Sequence, residues 1–439
     1  MAVELAAAAW AAEEVVSTTV QIGVGAYMVA KPTAPLHATF TQIATSSDDD
    51  TKYDQLIHAW RRSMMDNKAY IFGGETASGQ LAGTEIHAIT LTSDKTSPDY
   101  SVTPAIADVE ANGVPAPRQK HAACGFNVCI AVFGGVDQNG QVIDEQHVWL
   151  YNTGKSAWET LRPKDASALL PSARSEAKLF DHRNNLVLYG GKSKNGEGLH
   201  DVWLFNYVQS AWHQLPDAPV SSDAAALTNG MLHIISNGDR MGSDLHLLPL
   251  NPTRDPSEQK WHTVPFPSNP LTPGPQTRSA AGLVPVTTGY GRHYLIYLFG
   301  VRPKKTLLNL AGSTEPAAGA SEKEEEQPLY WSDIWTYQLP SSPHEAKFTA
   351  NIMEAVKPAK IKDSIRSALG YDTGGHSWTE TEVLPPSEVD LDASTGKVHP
   401  GPRGNFACDV MEDGKSIVLW GGINAKGEKE GDGWVVKLS

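Results

Sequence analysis

Val132-Phe133-Gly134-Gly135 is a run of β-forming residues ended by two glycines, with Arg118 before it and His147-Val148-Trp149 and Trp158-Glu159-Thr160-Leu161 after it. Paired glycines closing an apolar run suit a strand that ends in a bend of positive φ with no room for side chains. The same arrangement returns at Phe72-Gly73-Gly74, Tyr189-Gly190-Gly191 and Trp420-Gly421-Gly422. Weaker copies stand at Ser236-Asn237-Gly238 and at Phe299-Gly300-Val301, where Val301 is read as replacing the second glycine. Recurrence at this spacing marks a repeat architecture.

After each pair a variable loop leads to a polar residue, a spacer and then a ring: Glu85-Ile86-His87, His147-Val148-Trp149, Asp201-Val202-Trp203, Asp244-Leu245-His246, Asp333-Ile334-Trp335 and Asp432-Gly433-Trp434. A period of two puts the polar residue and the ring on one side of a strand. A further strand opens on an aromatic in Trp158-Glu159-Thr160-Leu161, Trp212-His213-Gln214-Leu215 and Trp261-His262-Thr263-Val264. Each unit is therefore a small antiparallel sheet. The last unit stops at Trp434-Val435-Val436 without such a strand, while Phe40-Thr41-Gln42-Ile43 lies unclaimed before the first unit. A first strand that completes the last sheet closes a ring and removes its open edges.

The glycine pair, the spaced Trp or Tyr and the Trp-x-x-Leu strand resemble the Kelch repeat. The resemblance covers about six units and implies an all-β fold, a six-bladed Kelch β-propeller closed by an N-terminal strand. The predicted organisation is an N-terminal helical extension over 1–30 and a single propeller over 31–439, with large insertions in the fifth blade at about 302–330 and 341–375. The first insertion carries Glu322-Lys323-Glu324-Glu325-Glu326, a composition too polar to order itself. The second has Ile361, Ile365, Ala368 and Leu369 at helical spacing, with Gly370 as a stop.

A net charge of -14 and a pI near 5.5 disfavour nucleic acid and anionic membrane as partners, because an acidic surface repels phosphate. Cys124, Cys129 and Cys408 are odd in number and lack metal-ligand spacing, which points to a reduced, cytoplasmic setting. The first basic residue is Lys31, so neither a secretory nor a mitochondrial signal is expected. The uncharged run from Val15 to Ala30 is shorter than the roughly 20 residues of a membrane span.

The candidate ligand-binding residues are Arg118, Arg174, Arg278 and Arg403, which open the strand before a glycine pair in four units. Equivalent positions in a ring gather around its axis, and a guanidinium fork suits carboxylate, sulfate or phosphate. In Kelch-type ubiquitin-ligase adaptors such arginines bind acidic peptides, and in plant nitrile-specifier proteins they bind a sulfated substrate. The resemblance implies a site at these four positions; the competing reading is that each arginine merely brackets its blade. Arg61 and Arg62 need a register shift to join them, and the fourth unit has Ser221-Ser222 instead.

The repeated Asp and His residues before the Trp positions read as caps on the turn entering a strand. Asp50, Asp54 and His58 share a face if helical and are weak metal candidates, similar in spacing to the iron motif of nitrile-specifier proteins. No nucleophile elbow, P-loop, His-Glu-x-x-His or complete dinucleotide fingerprint is present, and no cofactor is expected. Two functions follow. The first is an intracellular propeller, without a recognisable BTB or F-box companion, binding an acidic protein segment at an Arg-lined face. The second is a lyase- or isomerase-like enzyme or specifier protein acting on a small anionic metabolite in the same cleft, under a lid from the fifth blade.

Overall fold

A computed structural model describes residues 36–439 except 45–67, 77, 92–99, 110–112, 144–146, 166, 168, 237–242, 251–258, 267–273, 289–290, 303–328, most of 341–374, and 386–396. The expected N-terminal helix, the residues Asp50, Asp54, His58, Arg61 and Arg62, and the charge run Glu322–Glu326 lie outside these residues.

The strands form six blades around an axis. Blade 2 is typical, with Ala122–Phe126, Cys129–Phe133, Val148–Asn152 and Ala157–Leu161 in order from the inside outward, all antiparallel. Blade 3 runs from Lys178–His182 to Ala211–Leu215, blade 4 from Ala225–Thr228 to His262–Val264, and blade 5 from Gly282–Thr287 to Trp378–Glu380. Blade 1 shows Lys68–Phe72, Ile86–Thr90 and Tyr100–Thr103.

Ring closure follows the sequence expectation. His37–Ala44 pairs antiparallel with Gly433–Leu438 of blade 6, placing Phe40 opposite Val436 and Gln42 opposite Trp434. Glu382–Val383 then adds in parallel to the outer edge of this strand.

Alternation along the strands explains why the ring holds. In Cys129–Phe133, Ile130 and Val132 pack toward blade 1, whereas Cys129, Ala131 and Phe133 pack toward blade 3. Both faces of the strand are buried, so it reads as a continuous apolar run. Six apolar clusters result, one between each pair of neighbouring blades, including one that joins blade 6 to blade 1 through Trp420, Val418, Ile71 and Ile89. Each fully buried Val, Ile, Leu or Phe contributes roughly 1.5–3 kcal/mol.

The glycine pairs lie in the left-handed region, with φ of 67° and 105° at Gly134 and Gly135. In blade 5 the same two angles fall on Phe299 (56°) and Gly300 (103°), and Val301 bridges Ser279 as Val136 bridges Gln119. Phe299 therefore replaces the first glycine, correcting the sequence reading that placed the substitution at Val301. Its ring is fully buried against Phe40, His399 and Phe406, contacts that offset the cost of a bulky residue at positive φ.

The two insertions of blade 5 depart from opposite ends of that blade. The first leaves after Arg302 and returns at Leu329, at the end marked by Arg278, where Arg302 N–H donates to the Leu329 carbonyl (2.8 Å). The second leaves beyond Leu339 and returns before His376, at the end where Leu339 N–H meets the His293 carbonyl (3.0 Å). Within it Asp363, Arg366 and Ser367 are helical, and Asp363 is ion-paired with Arg292 at 2.7 Å.

Candidate binding site

The four arginines do occupy equivalent positions, but they do not line an open face. Arg118, Arg174, Arg278 and Arg403 are all 0% exposed. Arg174 donates through Nη1 and Nη2 to Asp201 Oδ1 and Oδ2 (2.6 and 2.8 Å), through Nη1 also to the Gly190 carbonyl (3.0 Å), and through Nε to the Ser172 carbonyl (2.9 Å). Arg278 grips Asp333 in the same way (2.5 and 2.9 Å) and Arg403 grips Asp432 (2.6 and 3.1 Å). Arg118 donates to the carbonyls of Ala116 and Gly134, both at 3.0 Å.

The repeated Asp residues complete the device. Asp201, Asp333 and Asp432 each accept the indole N–H of the Trp two residues on, at 2.6, 2.7 and 2.8 Å. Two features that the sequence shows separately, the arginine and the aspartate before tryptophan, are thus halves of one latch. Burial pushes the Asp201 carboxyl up, but Arg174 and the Trp203 indole outweigh it and hold it below the usual carboxylate range. The arginine backbone serves the seam as well: Gly74, Gly135 and Gly300 each donate N–H to the arginine carbonyl of the next blade, all at 2.9 Å. The expectation of a solvent-facing arginine ring is corrected by this geometry, because each fork is spent inside the fold.

What faces solvent lies one and two residues beyond. The inner strands enclose a central channel of about 930 Å³ whose lining includes Gln119, Lys120, Glu176, Asp223, Ala280 and Asn405, but none of the four arginines. Lys120, Glu176, Ala280 and Asn405 all have φ between 53° and 57°. Each stands two places after its arginine, and this bend turns the chain inward at the mouth. Neighbours are stitched together: Glu176 N–H donates to the Lys120 carbonyl (2.7 Å) and Asn405 N–H to the Ala280 carbonyl (3.1 Å). At blade 4 the Asp223 carboxylate accepts the Ala280 N–H instead.

Glu176 is shared by Lys120 (3.1 Å) and Lys192 (2.7 Å). Burial raises its carboxyl pKa, and the two ammonium groups more than reverse that, leaving it low. Sequence reasoning missed this mouth because residues offset by two from the arginines share no residue type; the offset itself was the available signal.

Around the mouth, blades 6, 1, 2 and 3 carry matched short hairpins after their glycine pairs. Asp137 Oδ1 accepts the N–H of Asn139 and Gln141, and Ser193 and Asn424 do the same for their own turns, while Thr76 accepts from Gln80. Gly79, Gly140, Gly196 and Gly427 close these turns with φ of 73–80°. The hairpins are also laced together. Gln138 accepts the Leu81 N–H (2.7 Å) and donates to the Gly79 carbonyl (3.1 Å), and Lys429 pairs with Glu75 (2.8 Å) across the closing seam. Among the described residues no group of three or more His, Cys, Asp or Glu is placed to hold a metal.

The KLHDC2/KLHL20/DRC7 Kelch-repeats domain model matches residues 59–300. An F-box/kelch-repeat protein of Arabidopsis thaliana is 29% identical over 179 residues, 37% of this chain and 36% of that protein. Kelch domain-containing protein 3 of Homo sapiens is 25% identical over 154 residues, 33% of this chain and 37% of that protein. The matched region spans little more than a third of the length of these curated relatives. The solved structure of YjhT is similar in fold, with a TM-score of 0.54 and 13% identity over 89% of this chain and 99% of that one.

Proposed function

Because the chain belongs to the Kelch-repeat family, we propose that it is a protein-binding propeller whose partner lies across the channel mouth, on the hairpins of blades 6, 1, 2 and 3. One observation carries this reading: four hairpins of the same conformation, each capped by its own side chain, stand on one face, and those of blades 6, 1 and 2 are cross-tied. A surface already ordered before contact loses little conformational entropy on binding, which favours recognition of a partner over self-burial. Loops on a rigid scaffold are also the usual carriers of recognition.

With the arginines buried, an acidic segment at the mouth would meet Lys120 and Lys192, each of which would exchange Glu176 for a partner carboxylate, and the exposed Lys426 at the blade 6 hairpin tip. The free thiols of Cys124, Cys129 and Cys408 support a reducing compartment. Among the described residues no helix is long and apolar enough to cross a membrane.

The test is affinity capture with the intact chain and three variants. Asn139→Arg and Lys426→Glu alter exposed hairpin tips, whereas Val208→Arg alters a residue 92% exposed at the opposite end of blade 3. A partner retained by Val208→Arg and lost by both tip variants fits the proposal. Retention by the tip variants with loss in Val208→Arg would move the interface to the other face.

A further inference from the structure

Four residues beyond the arginines the channel narrows to small side chains. Ala122, Gly282 and Ala407 hold this level in blades 2, 5 and 6, and blade 4 lines the channel with Ala225 and Ala226. Blade 3 differs, because its residue at this level is Lys178. A half-buried lysine thus reaches into a channel that alanine and glycine otherwise keep open.

The ionic groups of the lining differ in how they are engaged. Glu75 is paired with Lys429, Glu176 with Lys120 and Lys192, and Asp223 accepts the Ala280 N–H. Asp409 accepts the Val410 N–H at 2.7 Å, and Asp181 is also engaged. The carboxylates outnumber the two lysines of the lining, so the channel as a whole does not attract anions over a distance. Lys178 nonetheless stands apart, since among the described residues no hydrogen bond or ion pair reaches its ammonium group. Lys178 and Cys408 of blade 6, on the opposite side of the ring, both line the channel.

We propose that the channel holds a small oxyanion, a carboxylate or a phosphate, on Lys178. An ammonium is a compact point charge with three donors, so it accepts either kind of oxygen group without a geometric preference. The alanine and glycine ring supplies the space, and Glu176, neutralised by its two lysines, does not repel entry. The binding is local and contact-dependent, so it weakens as salt screens the pair.

The experiment is calorimetric titration of the intact chain at low ionic strength with glutarate in one arm and inorganic phosphate in the other. Saturable binding in either arm, weakened at least about tenfold in Lys178→Met and kept in Lys178→Arg, is the expected result. Lys178→Gln replaces the methionine variant if that one melts early, and Val208→Arg, at the opposite end of blade 3, keeps wild-type binding. Equal affinity in Lys178→Met and wild type overturns the proposal, as does the lack of saturable binding in both arms. Binding in one arm alone identifies which oxyanion the channel takes.

Discussion

Blades 3 and 4 stand side by side and solve the same packing problem by different means. Blade 3 has the full latch of Arg174, Asp201 and Trp203, closed on the Gly190 carbonyl. Blade 4 has no latch arginine; instead Ser222 Oγ donates to the Ile235 carbonyl (2.6 Å), and Asp244 turns away to accept the Phe266 N–H (2.7 Å). The seam between the two blades is held by Tyr189, whose hydroxyl donates to the Val220 carbonyl and accepts the Ser222 N–H. Where the arginine is lost, the glycine pair of the same unit is lost too, since Ser236 follows Ile235 there. The pair is not kept solely for a neighbour's arginine, since blade 3 retains Gly190 and Gly191 beside a blade that has no such arginine; at Gly134 the Arg174 carbonyl adds a steric demand to that of the bend itself.

The largest test of that dependence compares two glycines. A Cβ on Gly134 would sit 2.2 Å from the Arg174 carbonyl oxygen, whereas one on Gly190, which faces blade 4, meets nothing nearer than the Leu199 oxygen at 3.1 Å. Both have positive φ, so both carry the left-handed cost of about 1 kcal/mol. Gly134→Ala should lose about 4 kcal/mol or more, as a clash with backbone adds to that strain. Gly190→Ala should lose only about 1–2 kcal/mol, because its neighbour can yield. Urea midpoints measure the pair, and equal losses would break the comparison.

Next in size is the latch itself. Arg174→Met leaves Asp201 largely buried without its cation, a change that costs about 3–5 kcal/mol. Ser222→Ala removes one neutral hydrogen bond and should cost about 1–2 kcal/mol. Denaturant unfolding of the two variants gives the ratio. A mild Arg174→Met would return that arginine to the role of a ligand-binding residue.

These contrasts also show what could be read without coordinates. The repeat, the closure by Phe40-Thr41-Gln42-Ile43 and the weak fourth unit are matters of spacing and hydrophobic alternation, which sequence carries directly. The direction in which Arg174 points is not, because a strand-opening arginine after a small or proline residue is compatible with solvent and with a buried carboxylate. Asp201, Asp333 and Asp432 stand in the same units as Arg174, Arg278 and Arg403, and that co-occurrence was the clue to burial. It was obscured by Asp244, which keeps the aspartate without an arginine. Phe299 was misplaced by one residue because glycine was assumed to be required, while the Arg278 Nη1 contact at 2.9 Å needs only the carbonyl that Phe299 supplies.

Acid should separate the two blades at a smaller energy. His233, on blade 4, is 1% exposed, and burial brings its pKa down to about 4, with the Met231 carbonyl opposing. The unfolded chain binds a proton near 6.5 and the folded one does not, so stability is level above that pH and falls as pH drops from 6.5 to 4. The full loss is on the order of 3 kcal/mol. Asp201 behaves differently: its folded pKa is lowered, so its contribution is present above the ordinary carboxylate value and disappears only as pH falls through the lower one. Amide exchange at pH 5 should therefore show blade 4 strands opening more than at pH 7, and blade 3 opening by less, through His182, whose pKa burial also lowers. His233→Gln should flatten the pH dependence, and a dependence left intact would place the titrating group elsewhere.

The smallest expected effect falls on the seam that the two blades share. Tyr189→Phe removes one oxygen and leaves the Val220 carbonyl and the Ser222 N–H without their partner, at separations that were 2.9 and 3.0 Å. Burial raises the Tyr189 phenol pKa, so this hydroxyl keeps its proton and its donor role at any ordinary pH. The substitution should cost about 1–3 kcal/mol, the price of two buried polar groups left unpaired. Blade 2 already has phenylalanine at this position, Phe133, and it needs no hydroxyl because the Arg174 carbonyl accepts from Gly135 there. Tyr189→Phe thus gives the seam of blades 3 and 4 the side chain of its neighbour without the arginine that makes it sufficient. A melting temperature unchanged by Tyr189→Phe would mean that the Ser222 seam is carried by its apolar cluster alone, and that hydroxyl and arginine are not alternatives.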